Sequence, residues 1–221
     1  MKHVRFLPIP YKTLDDIKNR FKDKDPRIVE ESKKYGFSYF DGDRKYGYGG
    51  YYYDGRWVSI AKAMVEHYDL KPGMRILDVG CAKGFLVKDF MIVCPGLEAF
   101  GLDTSSYALL HCEDEVIGRL HLGSADSLPF PDNSFDFVVS LNTLHNFNRK
   151  NVVKAFSEIE RVSKGSSFIQ VDSYETPEEK EIFEEWVLTA EYHGYPEDWL
   201  EVFKESGYTG DYDWTIMKLK K

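Results

Sequence analysis

The stretch RILDVGCAKGFLVKDF, residues 75–90, constrains this chain more than any other. Apolar residues run into Asp78, then Gly80 and Gly84 stand four apart, and a periodic apolar segment follows. That pattern predicts a buried strand, a tight turn and a helix, and such a bend in an α/β sheet holds a nucleotide-like ligand. A dinucleotide wants G-x-G-x-x-G, with helix amides facing a pyrophosphate. Gly80-Cys81-Ala82-Lys83-Gly84 has a different spacing. Asp78 inside the pocket would repel a pyrophosphate but suits an ammonium or a sulfonium. The electrostatics therefore favour a cationic nucleoside.

Strands and helices alternate after this bend. EAFGLD, RLHLGSA, FDFVVSLN and SSFIQVDS read as further strands, and DYDWTIMKLKK as a C-terminal one. Lys83 to Cys94 reads as a helix, with Lys83 directed to solvent. Thr104 or Ser105 can cap the SSYALL helix, and Val152, Phe156 and Ile159 mark another. Thr176, Pro177 and Glu179 form a capping box, and Gly207 stops the helix before it. Near-continuous apolar strands between helices predict a doubly wound, mostly parallel sheet with helices on both faces. Its ligand should lie at the carboxyl ends of the central strands.

Composition shifts near residue 56. Residues 11–34 are charged and weakly helical. The segment YGFSYFDGDRKYGYGGYYYDGRW then holds seven of the fifteen tyrosines and six glycines. Trp57, Ile60, Ala61, Met64, Val65 and Tyr68 follow on one helical face. We therefore divide the chain into residues 1–55, a helical and Tyr/Gly-rich cap or lid, and residues 56–221, the ligand-binding α/β domain. The segment is either a structural hairpin or packed loop, or a lid with Tyr46, Tyr48 and Tyr51 as candidate acceptor contacts. Arg56 is a candidate clamp for a carboxylate, on the cofactor or on the acceptor. Tyr192 and His193 either line the same cavity or form a surface turn.

Acids outnumber bases 37 to 29, for a net charge of −8, which argues against a phosphate backbone or an anionic membrane surface as partner. The three cysteines suit a reducing compartment, and no apolar run approaches the roughly 18 residues of a membrane span. A cytoplasmic location is the expectation. The six histidines form no H-x-x-x-H and the cysteines no C-x-x-C, so a metal-free site is the default.

These residues resemble the class I S-adenosylmethionine-dependent methyltransferases over roughly residues 57–175. ILDVGCAKG looks like the family's first motif, with Asp78, Gly80, Cys81 and Gly84 at the cofactor. Asp103 ends the second strand, where the family's acid accepts the ribose hydroxyls. Ala125 and Asp126 sit where the family recognises adenine, and FDFVVSLNTLHNF looks like the fourth-strand motif, whose end lies beside the methyl group. Ala82 departs from the pattern by replacing the middle glycine, so the backbone there avoids positive φ or tolerates strain. The resemblance implies S-adenosylmethionine as cofactor, S-adenosylhomocysteine as product, and a bacterial-type enzyme, monomer or homodimer. Its acceptor is a small polar metabolite, with general likeness to methyltransferases of sugar and polysaccharide precursors. Asn142 is a candidate contact to cofactor or acceptor, and His145 is a candidate general base with a structural alternative. NTLHN replaces the N/D-P-P-Y/F motif of amine methylation, which favours an O-methyl product. The rival readings are a non-enzymatic cofactor-binding partner or sensor, and a nicotinamide-dependent oxidoreductase.

Overall fold

The computed structural model describes residues 1–22 and 24–220. Its centre is a six-stranded sheet of order β4-β3-β2-β5-β6-β7. These strands are β2 (Arg75–Val79), β3 (Glu98–Asp103), β4 (Leu120–Leu122), β5 (Phe137–Leu141), β6 (Ser167–Ser173) and β7 (Asp211–Ile216). Every pairing is parallel. The strand order reverses between β2 and β5, which places a ligand crevice at their carboxyl ends.

Side-chain alternation divides the core between the two sheet faces. On one, Leu77, Val79, Val138 and Ile169 pack on α7 (Arg149–Val162) and α9 (Pro196–Ser206) through Phe156, Trp199 and Phe203. On the other, Ile76, Phe137, Val139 and Phe168 meet α4 (Val58–His67) and α5 (Phe85–Val93) through Met64 and Phe90. Burying each of these large side chains contributes about 1.5–3 kcal/mol, which secures the sheet that carries the crevice.

Local chemistry explains the helix ends. α5 starts at Phe85, later than expected, because Gly84 takes the left-handed conformation at its N-cap. Ser105 caps α6 (Ser106–Leu110) by accepting from the Ala108 amide. Thr176 accepts from the Glu179 amide at the start of α8 (Pro177–Trp186). The Glu179 carboxylate, however, accepts from the amide of Glu175, one residue before the box would place it. Gly207 ends α9 with φ of 73°.

The first residues run beside the last strands. The Val4 and Tyr212 amides donate to Tyr212 and Lys2 carbonyls, and His3 and Arg5 both bond the buried Asp213 carboxylate. Farther on, β1 (Tyr11–Lys12) pairs in parallel with β8 (Lys218–Leu219). Between these pairings and α4, the chain forms α1 (Leu14–Lys22), α2 (Pro26–Ser32), α3 (Phe37–Phe40) and the tyrosine-rich turns. Among the described residues no helix is long and apolar enough to cross a membrane.

Candidate functional site: a cleft at the strand crossover

A cavity of about 220 Å³ opens at the carboxyl ends of β2, β3 and β5. Its floor is the glycine bend. Gly80 has φ of 84°, and a Cβ there would lie 2.1 Å from the Thr143 hydroxyl, so only glycine lets the loop after β5 approach this closely. The Gly80 and Cys81 amides both donate to the Leu102 carbonyl, which locks the bend to β3.

Ala82 adopts φ of 51°, the strained alternative of the two that the sequence left open. For a non-glycine residue this costs roughly 1–2 kcal/mol. The Ala82 amide donates to Asp103 Oδ2 at 2.8 Å, and Ser105 donates to Oδ1 at 2.8 Å, so Asp103 holds the bend in that conformation. Among the described residues five non-glycines have positive φ, and three of them, Tyr35, Ala82 and Asn142, line the cleft. Such strain concentrates where a surrounding structure over-determines a site.

Electrostatics follow from burial. Asp78 is 4% exposed and faces the cleft. Among the described residues its carboxylate has no ion pair or hydrogen bond, and burial, then the charge of Asp103, pushes it up to about 8. Burial also raises Asp103, against the lowering effect of amides from Ser105, Ala82 and Thr104. A buried acid with no protein partner is a socket for a cationic or hydrogen-bond-donating group. Cys81 lines the cleft as a buried thiol, raised by desolvation, rather than as a thiolate.

The tyrosine-rich segment forms the wall opposite the bend. Tyr35, Tyr39, Tyr48 and Tyr51 line the cleft, with Phe40 and Trp57. The segment is packed at several points onto the elements around the glycine bend. Tyr51 stacks on Phe85 with centroids 4.8 Å apart, the Tyr53 hydroxyl donates to Asp89 at 2.6 Å, and the Ser105 hydroxyl donates to the Tyr35 carbonyl. The strongest tie is Lys83. Contrary to expectation it points inward, 6% exposed, and donates to both oxygens of Asp41 and to the Tyr51 carbonyl at 2.7–2.8 Å. The Tyr107 hydroxyl joins the same Asp41 carboxylate. The glycine bend thus grips the wall that faces it.

The structure brings Asp78, Gly80, Cys81, Asp103, Ala125 and Asn142 together at this cleft, along with Tyr48 and Tyr51. Gly84 lies just behind, at the start of α5, with φ of 75°. Asp126 accepts from the Ser124 hydroxyl at 2.5 Å while its neighbour Ala125 lines the cleft. His145 is not among the lining residues. Its ring stands over Asp172: Nδ1 accepts from the Asp172 amide at 3.3 Å, and Nε2 lies 3.3 Å from the Asp172 carboxylate. The accepting Nδ1 fixes the neutral tautomer with hydrogen on Nε2, so Asp172 engages both nitrogens. Arg56 makes a bidentate pair with Asp54 and borders a neighbouring cleft. Tyr46 lies under Lys45, away from the cavity. The Tyr192 and His193 rings pack on Trp199 and Phe183, also away from it. Sequence reasoning missed Trp57, Thr143 and Phe147 as lining residues; Trp57 announced itself only as the first member of an apolar helix face.

A crossover crevice on a parallel sheet of this order, with acids at the carboxyl ends of the adjacent strands β2 and β3, is the architecture of the class I methyltransferase fold. The YcgJ protein of Bacillus subtilis shares the fold, with a TM-score of 0.54 at 21% identity over 66% of each chain. A family model described as a methyltransferase domain matches residues 77–170, the stretch that carries the glycine bend and the strands around the cleft. A demethylmenaquinone methyltransferase of Symbiobacterium thermophilum is 34% identical over 128 residues, 54% of this chain and 50% of that protein. A sterol 24-C-methyltransferase of Gibberella zeae is 34% identical over 117 residues, 47% of this chain and 30% of that protein. The chain spans half or less of the length of these curated relatives.

The cleft fits S-adenosylmethionine. Asp78 offers a buried carboxylate without a partner among the described residues, where an ammonium would be held, and Asp103 keeps acceptor capacity beyond the backbone amides it already accepts from.

Proposed function

We propose that the protein transfers a methyl group from S-adenosylmethionine to an oxygen of a small polar acceptor, of which sugars and polysaccharide precursors are the leading class. The observation that carries this reading is Asp78, buried in the cleft without a partner among the described residues. When bound, the cofactor supplies an electrophilic methyl group on a sulfonium. Asp78 neutralises the ammonium of its amino-acid end, and Asp103 accepts from its ribose hydroxyls. Gly123 and Ala125 border the adenine, and Asn142 stands at the methyl-bearing end. The aromatic wall formed by residues 35–53 excludes water and holds reactants in register, which can supply several kcal/mol of the acceleration. His145 is a positioning residue, its ring bracing Asp172 and its carbonyl accepting from the Glu191 and Tyr192 amides. Support for oxygen as the methylated atom is the sequence after β5, where Thr143-Leu144-His145-Asn146 replaces the amine-methylation motif.

Calorimetric titration with S-adenosylhomocysteine and with NAD⁺ tests the reading. The first should bind and the second should not. Asp103→Ala should weaken S-adenosylhomocysteine by about 1.5–3 kcal/mol, the range for a charged hydrogen bond. An unchanged affinity would remove Asp103 from the ribose.

A further inference from the structure

A second cleft, of about 370 Å³, adjoins the first. The two share Trp57 and Asn142 as a common partition. One wall is the N-terminal run Phe6, Leu7, Pro8 and Pro10, pinned at both ends by its pairing with the C-terminal strands. Opposite it stand Arg56, Trp57, Ser59 and Ile60 at the start of α4, and the floor is Asn142, Gln170 and Thr215.

The floor is wired in one direction. Gln170 Nε2 donates to Thr215 Oγ1 at 2.7 Å, and that hydroxyl donates to Asn142 Oδ1 at 2.7 Å. The relay leaves the Asn142 amide nitrogen to donate and Gln170 Oε1 to accept. Gln170 is 3% exposed, and among the described residues its Oε1 has no hydrogen-bond partner. A buried acceptor without a partner, on a residue that lines a cleft, calls for a donor.

We propose that this second cleft is the acceptor site, and that it takes a neutral ring bearing a hydroxyl group. The assignment rests on the first cleft holding the cofactor. The hydroxyl donates to Gln170 Oε1 and accepts from Asn142, which stands at the border of the two clefts. The Trp57 ring, Phe6 and the prolines receive the ring's C–H or aromatic face. Charge narrows the class further. Arg56 is held in a bidentate pair with Asp54, so the two charges at this wall already meet each other and suit a neutral ligand.

The test uses the full chain with S-adenosylhomocysteine added, and two probes, a methyl hexopyranoside and phenol, followed by saturation-transfer NMR. Binding of the hexopyranoside identifies a saccharide acceptor, and binding of phenol an aromatic alcohol. In either case Gln170→Leu should weaken the probe at least tenfold, and Ser59→Trp, at an exposed position on the rim, should abolish its binding. Calorimetric affinity for S-adenosylhomocysteine should stay within twofold of wild type in both variants. Silence from both probes while S-adenosylhomocysteine binds, or an unchanged probe affinity in Gln170→Leu, would overturn the acceptor-site assignment. Probe binding that obeys both variants, in a protein that does not bind S-adenosylhomocysteine, would uphold the hydroxyl site and refute the cofactor reading instead.

Discussion

Replacing Asp78 by asparagine removes a charge and little volume, so it isolates the electrostatic cost of the cofactor socket. The native carboxyl titrates at about 8, against roughly 3.9 in an unfolded chain. Between those values the native state holds the proton more tightly than the unfolded one, so stability falls as pH rises. Each pH unit in that window costs about 1.4 kcal/mol, and at pH 7 the accumulated cost is about 4 kcal/mol. Asparagine stays neutral throughout. The variant should therefore gain on wild type steadily from pH 5 to 8 and no further above it. With about 2–4 °C of melting temperature per kcal/mol for a chain of this size, the gain is roughly 3–6 °C per pH unit. Paired thermal melts in a single buffer series measure it. The reasoning also predicts that S-adenosylhomocysteine, by placing an ammonium against Asp78, expels close to one proton at pH 7. Calorimetry in buffers of different ionisation enthalpy would register that proton in wild type and none in Asp78→Asn. A melting difference that stays flat from pH 5 to 8 would refute the account.

Three other substitutions probe the surroundings. Ala82→Gly should stabilise the fold by about 1 kcal/mol, because glycine occupies φ of 51° without strain; chemical denaturation would show it, and a loss of stability would mean that Ala82 is not strained. Lys83→Met should cost about 3 kcal/mol by leaving Asp41 without its cation, and should speed amide exchange across residues 35–53; unchanged exchange would mean that the aromatic wall holds without the ion pair. His145→Asn should lower the melting temperature but leave S-adenosylhomocysteine affinity and the shape of the pH–rate profile intact. Loss of a limb of that profile would restore His145 as the base.

The strand order around the crevice was legible because each strand is a short apolar run closed by an acid or a polar turn, as at Asp78 and Asp103. The glycine bend was legible for the same reason. Lys83 was not. A lysine reads as solvated, and its partner Asp41 lies 42 residues earlier in a segment with no regular period. His145 shows a similar gap: its place after β5 was correct, but ring orientation depends on Asp172, which only folding brings beneath it. The sheet proved parallel throughout because the C-terminal strand lies on β6 in parallel, a direction that apolar content alone does not encode. The second cleft was invisible, since its walls come from residues 6–10, 56–60 and 215, and its open acceptor is a single glutamine inside an apolar strand.

The pairing of residues 2–12 with 211–220 carries a consequence for how the protein is made. On the ribosome residues 2–12 emerge well before their partners, which lie about 200 positions behind them. Non-local pairing of this kind is slow and late. A segment synthesised early is thus among the last to be seated. The second cleft, which that segment walls, comes into being only when the sheet is otherwise complete.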